Sequence, residues 1–202
     1  NNGVHHLYIN VEQVRAFRTC SFFISCEPPL ILGGLKLNRS VLKFGGSSVS
    51  DFTKIKNIAE MLKTRVEQGE ELIVVVSAMG KTTDQLMENV STLTSTPKDQ
   101  ELALLLTTGE QQTVSYLSMV LNDIGVKAKA MTGYQAGIKT IGHHLKSKIA
   151  EINPDTFNQA FENNDVLVVA GFQGINDEFE LTTLGRGGSD TTAVALAASN
   201  QI

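Results

Sequence analysis

Lys43 closes a short apolar run, Val41-Leu42, and is followed at once by Phe44-Gly45-Gly46-Ser47-Ser48-Val49. Ser50-Asp51 then leads into a segment with helical periodicity. The pattern predicts a strand, a glycine turn and a helix N-terminus, with one cation at the strand's end. Paired glycines let backbone N–H groups approach an anion without side-chain obstruction, and a helix dipole adds partial positive charge. A lysine beside such a nest meets a phosphate as a point charge. Lysine plus a glycine-serine turn therefore suggests phosphoryl transfer. Here the lysine precedes the glycines, the reverse of the Walker order, which argues against a Walker-type NTPase.

A second loop carries a comparable set of groups. Thr182-Thr183-Leu184-Gly185-Arg186-Gly187-Gly188-Ser189-Asp190-Thr191-Thr192 holds an arginine, a carboxylate, several hydroxyls and three glycines, and runs into Ala193-Val194-Ala195-Leu196-Ala197-Ala198. The alanine-rich stretch is a good helix former, and Ser189 or Asp190 is a natural N-cap. A well-capped helix after a flexible turn would explain most of this. Arg186 between glycines is harder to explain that way, because a guanidinium on a closely approaching backbone suits bidentate capture of a carboxylate or phosphate.

Taken together, three segments closely resemble aspartate kinases of the amino acid kinase superfamily. They are Lys43 to Val49, Val76-Ser77-Ala78-Met79-Gly80-Lys81-Thr82-Thr83-Asp84, and Thr183 to Asp190. Thr107-Thr108-Gly109-Glu110, Thr132-Gly133-Tyr134-Gln135-Ala136-Gly137 and Val169-Ala170-Gly171-Phe172-Gln173-Gly174 support the resemblance, which runs from about Val41 to Ile202. It implies a three-layer α/β sandwich with a mainly parallel sheet. It also implies transfer of the γ-phosphoryl group of MgATP to the side-chain carboxylate of L-aspartate, giving 4-phospho-L-aspartate, the step that opens the route to lysine, threonine and methionine.

The same resemblance assigns roles to individual residues. Lys43 would lie against the transferring phosphate, and Gly45, Gly46 and Ser47 would donate to the nucleotide phosphates. Ser47 stands where the family often has threonine, and the hydroxyl is kept. Ser77 and Gly80 match the second glycine-serine loop facing the phosphates. Thr83 matches a threonine that contacts substrate aspartate, although Thr82 and Thr83 are equally plausible as helix caps. Glu110 would receive the substrate ammonium, and Arg186, with Ser189 beside it, would clamp the α-carboxylate. Asp190 would orient Lys43 or help hold the magnesium nucleotide. The cofactors implied are ATP and Mg2+, with no dedicated protein metal site. His143 and His144 follow Gly142 in a polar stretch and read as spectators, since this chemistry needs no imidazole.

Composition agrees with an enzyme of this kind. The chain has 202 residues, 42% hydrophobic and 19% charged, enough for one substantial core. Its net charge of -4 gives no electrostatic reason to expect nucleic acid or an anionic membrane as partner. No apolar run approaches the length of a membrane span. The two cysteines, Cys20 and Cys26, are too widely spaced for a CxxC pair and too few for a zinc site. A reducing cytoplasm is the expected compartment.

The chain divides at about residue 40. Residues 1–40 lack sustained periodicity, resemble nothing in the family and are expected to be irregular. His5-His6 in that segment lacks a ligand set and reads as solvated loop. From residue 41, strand and helix patterns alternate. Ile55, Ile58, Ala59, Leu62 and Val66 share a helical face ended by Gly69; Leu72 to Val76 is a buried strand; Thr82 and Gln85 form a capping-box pattern. Pro97 precedes a helix running from about Glu101 to Gly125. Val126 to Met131 and Val166 to Ala170 read as strands, with a short helix opened by Pro154-Asp155. The family continues past this point with a nucleotide-binding half and regulatory ACT domains, so the resemblance implies a C-terminally truncated catalytic domain that forms a homo-oligomer when full-length. Two other readings stay open: a related enzyme such as acetylglutamate kinase or glutamate 5-kinase, and a non-catalytic aspartate-binding or interaction fragment.

Overall fold

Alternating aliphatic residues in β4 (Asn38–Phe44), β5 (Glu70–Val76) and β9 (Val166–Ala170) divide the fold into layers. The structure, a computed structural model, describes residues 21–24, 31–32, 35–36 and 38–202. With β1 (Ser21–Ile24) and β6 (Ala128–Met131), these strands form a five-stranded sheet in the order β1-β4-β5-β9-β6. All neighbours in it are parallel except the antiparallel β1–β4 pair. Parallel strands covered on both faces read as continuous aliphatic runs, and Leu72-Ile73-Val74-Val75-Val76 is fully buried.

Side-chain alternation sends Leu42, Phe44, Leu72, Val74, Val76, Val166 and Val168 to one face. There they pack on Ile55, Ala59 and Leu62 of α1 (Phe52–Glu67) and on Val114, Leu117 and Leu121 of α3 (Asp99–Asp123). Val41, Ile73, Val75, Leu167 and Val169 face the other way, against Phe157 and Phe161 of α4 (Asp155–Phe161) and Ala193, Leu196 and Ala197 of α5 (Gly188–Ser199). The result is the expected three-layer α/β sandwich. Strand parity also gives Lys43 the face of Val41, the side on which α5 packs.

A second, four-stranded sheet, order β11-β10-β7-β8, is built from residues for which the sequence reading placed no strand. β7 (Ile138–His143) and β8 (Lys146–Ile152) form a hairpin turning at His144-Leu145. β10 (Gln173–Ile175) pairs with β7 in parallel and with β11 (Leu181–Thr183) in antiparallel fashion. Buried hydroxyls bind it together: Thr140 and Thr182 lie 2.6 Å apart, and Ser147 Oγ donates to Thr182 Oγ1 at 3.1 Å. His143 and His144 tie the hairpin turn to Asp99 at 3.0 Å and Glu180 at 2.7 Å.

Several sequence expectations need correction. β4 begins at Asn38, and the short pair β2 (Ile31–Leu32) and β3 (Leu35–Lys36) adds extended structure within residues expected to be irregular. His5, His6, Cys20 and Cys26 lie outside the described residues. The Thr82–Gln85 capping box does not form in α2 (Thr82–Leu93): Lys81 is the cap residue, Thr82 Oγ1 turns back to the Met79 carbonyl at 2.7 Å, and Gln85 bonds Glu88 and Asn89. Neither Ser189 nor Asp190 caps α5. Gly187, at φ 73, is its N-cap, and the two side chains are drawn into the interactions described below.

Candidate active site

The C-terminal ends of β4, β5 and β9 point toward one edge of the sheet, the usual ligand position in open α/β folds. There the loop after β4 meets the loop after β5. Ser77 N–H donates to the Phe44 carbonyl at 3.0 Å and Gly80 N–H donates to the Gly46 carbonyl at 3.0 Å. Gly46 is required by this approach, because a Cβ on it would come within 2.9 Å of the Ala78 carbonyl oxygen. Gly46→Ala should therefore part the two loops, costing about 1–3 kcal/mol of stability. Thermal unfolding checks this, and an unchanged midpoint would show the contact to be slack.

Lys43 Nζ reaches Asp190 Oδ1 at 2.8 Å, with the lysine side chain 17% exposed and the aspartate 63% exposed. A Cβ on Gly45 would stand 3.2 Å from the same ammonium, so the lysine lies directly over the glycine turn. Ser77 Oγ donates to Ser189 Oγ at 3.0 Å, a second link from the β5 loop to α5. Gly171, which follows β9, lets Ser189 in: a Cβ there would lie 2.8 Å from the serine side chain. Lys43, Ser77, Ser189 and Asp190 thus form one group joining three loops.

The helix end available to an anion differs from the sequence expectation. Asp51 caps α1 by accepting the Lys54 N–H at 2.9 Å, so that N-terminus already holds a carboxylate. This bond is the main reason the Asp51 carboxyl titrates below its ordinary range. By contrast α5, whose first turn carries Ser189 and Asp190, has no side-chain cap. Its Gly188, Asp190 and Thr191 N–H groups turn back to the Gly185 and Gly187 carbonyls, so the helix end adds mainly positive potential beside Lys43 and the Gly45-Gly46-Ser47 turn.

Glu110 sits in the interior, on α3. Gly109 brings that helix against the β5 loop so closely that a Cβ would meet the Ala78 Cβ at 2.8 Å. One Glu110 oxygen, Oε1, accepts the Ala78 N–H at 3.1 Å, while the buried Oε2 lacks a partner among the described residues. Burial pushes its carboxyl up from 4.5 to about 7, opposed by backbone hydrogen bonds. A half-satisfied carboxylate of this kind suits a cationic ligand.

Thr83 and Arg186 are less constrained. Thr83 lies half-buried in the first turn of α2, and its side chain makes no hydrogen bond among the described residues. Arg186 is exposed on the loop between Gly185 and Gly187, both at positive φ, and makes no ion pair among the described residues. Sequence reasoning gave no role to Phe172 or Gln173, although both fall within a motif it had marked.

The profile described as the amino acid kinase family matches residues 38–201. The chain belongs to that family. Over 159 residues it is 46% identical to aspartokinase 2 of Bacillus subtilis (strain 168), a match covering 79% of this chain and 39% of that protein. The aspartokinase of Thermus thermophilus is 48% identical over 159 residues, with the same shares of 79% and 39%. The chain thus spans about two fifths of the length of these curated relatives. Among solved structures, an aspartate kinase from Synechocystis is similar with a TM-score of 0.66 and 41% identity, over 82% of this chain and 26% of that one. E. coli aspartokinase III in complex with aspartate and ADP shares the fold at a TM-score of 0.65 and 19% identity, over 82% of this chain and 47% of that chain.

Proposed function

We propose that this chain carries the amino-acid site and one side of the phosphate site of an aspartate kinase, which moves the γ-phosphoryl group of ATP to the side-chain carboxylate of L-aspartate. The observation that carries the reading is the 2.8 Å ion pair between Lys43 and Asp190, which joins the two glycine loops at the sheet's C-terminal edge. The similarity to curated aspartokinases at 46–48% identity supports aspartate over other amino acids as acceptor.

Each residue then has a physical task. Lys43 stabilises the charge building up on the transferring group, and Asp190 holds the ammonium in place. Backbone donors of Gly45 and Gly46, with the Ser47 hydroxyl, cradle the nucleotide phosphates, and Ser77 and Gly80 hold the second loop against them through their bonds to Ser189 and Gly46. Glu110 receives the substrate ammonium on its unpartnered oxygen, Arg186 and Ser189 take the α-carboxylate, and Thr83 contacts the substrate from α2. The attacking carboxylate is already ionised near neutral pH, so positioning does the work of a general base.

The site suits magnesium delivered with ATP. Mg2+ commonly takes one or two carboxylates together with phosphate oxygens, and Asp190, with most of its side chain exposed, is the carboxylate here that would hold it. Bound there, the ion would neutralise phosphate charge.

The test is ADP release from MgATP with aspartate, glutamate or N-acetylglutamate as acceptor. Aspartate should be strongly preferred. Preference for either alternative would move the chain to another member of the family, and aspartate binding without turnover would mark a binding module. Arg186→Ala should raise the aspartate requirement by about tenfold or more while changing the ATP requirement little, as expected for loss of a charged carboxylate contact. The reverse pattern in steady-state kinetics would remove Arg186 as the carboxylate clamp.

A further inference from the structure

We infer that Phe172 and Gln173, the two residues that follow Gly171 after β9, are positioning residues that together set the separation and aim of Arg186 and Glu110. The inference rests on the substrate assignment above, in which those two charges receive the carboxylate and ammonium of one amino acid.

Phe172 has φ 70, a left-handed conformation that disfavours a bulky side chain. Three contacts hold it there. Its N–H donates to Thr192 Oγ1 at 3.1 Å, and its carbonyl accepts the Leu184 N–H at 2.9 Å. Gly188 lies so close that a Cβ on it would come within 2.8 Å of the Phe172 ring and 3.1 Å of its Cα. Leu184 and Gly188 flank Gly185-Arg186-Gly187. One strained residue therefore grips both ends of the arginine loop, and Thr192 extends the grip into α5.

Gln173 is completely buried. Its Nε2 donates to the Thr107 carbonyl at 3.1 Å, and its Oε1 accepts the Gly133 N–H at 3.4 Å. Gly133 accommodates this approach, since a Cβ on it would lie 2.3 Å from the Gln173 carbonyl oxygen. Thr107 is one helical turn before Glu110 on α3, so the amide fixes the stretch of helix from which the carboxylate projects.

The two grips share a peptide bond. Phe172 holds the arginine loop and Gln173 the Glu110 turn, so both charges are placed from one point after β9 while each depends on its own residue. Core packing alone does not explain this arrangement: glycine at 172 would relieve the backbone, and an apolar residue at 173 would fill the same volume without burying an amide. Precise spacing of two opposite charges accounts for both costs, because a misplacement of about 1 Å at a binding constellation costs up to about a hundredfold.

The experiment is a set of double-mutant cycles on aspartate affinity, read by calorimetry on this chain with MgADP present. Phe172→Gly and Gln173→Met are each combined with Arg186→Ala and with Glu110→Gln. Each positioning variant alone should weaken aspartate binding by about tenfold. Phe172→Gly should be non-additive with Arg186→Ala and additive with Glu110→Gln, and Gln173→Met should show the opposite pattern. A merely structural role would give additive losses in every pair, or none, and that result overturns the inference. If Gln173→Met does not fold, as judged by circular dichroism, Gln173→Asn keeps a neutral amide while shortening its reach to Thr107 and Gly133. Phe172→Asn likewise tolerates the left-handed backbone while removing the ring. Should Arg186→Ala and Glu110→Gln themselves leave aspartate affinity unchanged, the substrate assignment fails and the inference falls with it, a result distinguishable from additivity.

Discussion

Lys43→Ala should cut aspartate-dependent turnover by roughly a hundredfold or more, the scale of losing one preorganised charge donor. Strand parity puts Lys43 on the α5 face of the sheet, and the glycine turn leaves the space above Gly45 to its ammonium. The Asp190 pair removes much of the freedom of a four-carbon side chain, so the charge is already in place when phosphate arrives. Deleting it leaves Asp190 without its cation and facing incoming phosphate, so repulsion adds to the lost stabilisation. Because the Asp190 carboxylate is largely exposed, the fold should survive. Turnover should fall far more than substrate affinity. Steady-state kinetics with a thermal-unfolding control check this, and near-normal turnover would remove Lys43 from the site.

The second large effect concerns Glu110 and pH. With its carboxyl pushed up to about 7, the residue is mostly protonated at about pH 6 and mostly ionised at about pH 8. An ammonium ligand needs the ionised form. Aspartate affinity should therefore fall by about tenfold between about pH 8 and about pH 6, with a proton released on binding toward the acid end. Glu110→Gln should bind weakly and lose the pH dependence across that window.

Stability moves in the opposite sense. Below the ordinary value of 4.5 both native and unfolded chains hold the proton, and burial of the carboxyl carries no ionisation penalty. As pH rises from there to about 7, the unfolded chain gives up the proton first, and folding stability declines. Above about 7 the penalty is constant, on the order of 3 kcal/mol. Glu110→Gln should thus be more stable relative to the parent at about pH 8 than at about pH 5. Equal differences at the two pH values, measured by denaturant unfolding, would show that the carboxyl is not desolvated.

The arrangement of chain around Lys43 was legible in the sequence for identifiable reasons, whereas the roles of its residues remain those proposed above. Lys43 at the end of an apolar run, followed by paired glycines, dictates a cation over a turn whatever the rest of the chain does. Leu72 to Val76 is aliphatic without interruption, which only a strand covered on both faces allows. The glycines at 185, 187 and 188 announced a backbone with unusual conformations, two of them at positive φ.

Helix caps were not legible, because local chemistry lost to tertiary partners. Ser189 is an acceptable N-cap by type, but Gly171 opens a space in which its hydroxyl accepts a bond from Ser77 instead. Asp190 is likewise taken by Lys43. The second sheet was missed because its hairpin turns at His144-Leu145, a pair without the Asn-Gly or Asp-Gly signal of a tight turn. Phe172 in a left-handed conformation goes against residue preference, so no propensity argument could find it. Gln173 reads as a surface residue by type and is fully buried.

Calorimetric titration of aspartate into this chain, with MgADP present and in buffers of different ionisation enthalpy, tests the central claim most directly, because every residue proposed to hold the amino acid lies within it. The account predicts one-to-one binding coupled to release of part of a proton near neutral pH, weakened strongly in both Glu110→Gln and Arg186→Ala. Absence of aspartate binding, or binding that neither substitution affects, would contradict it.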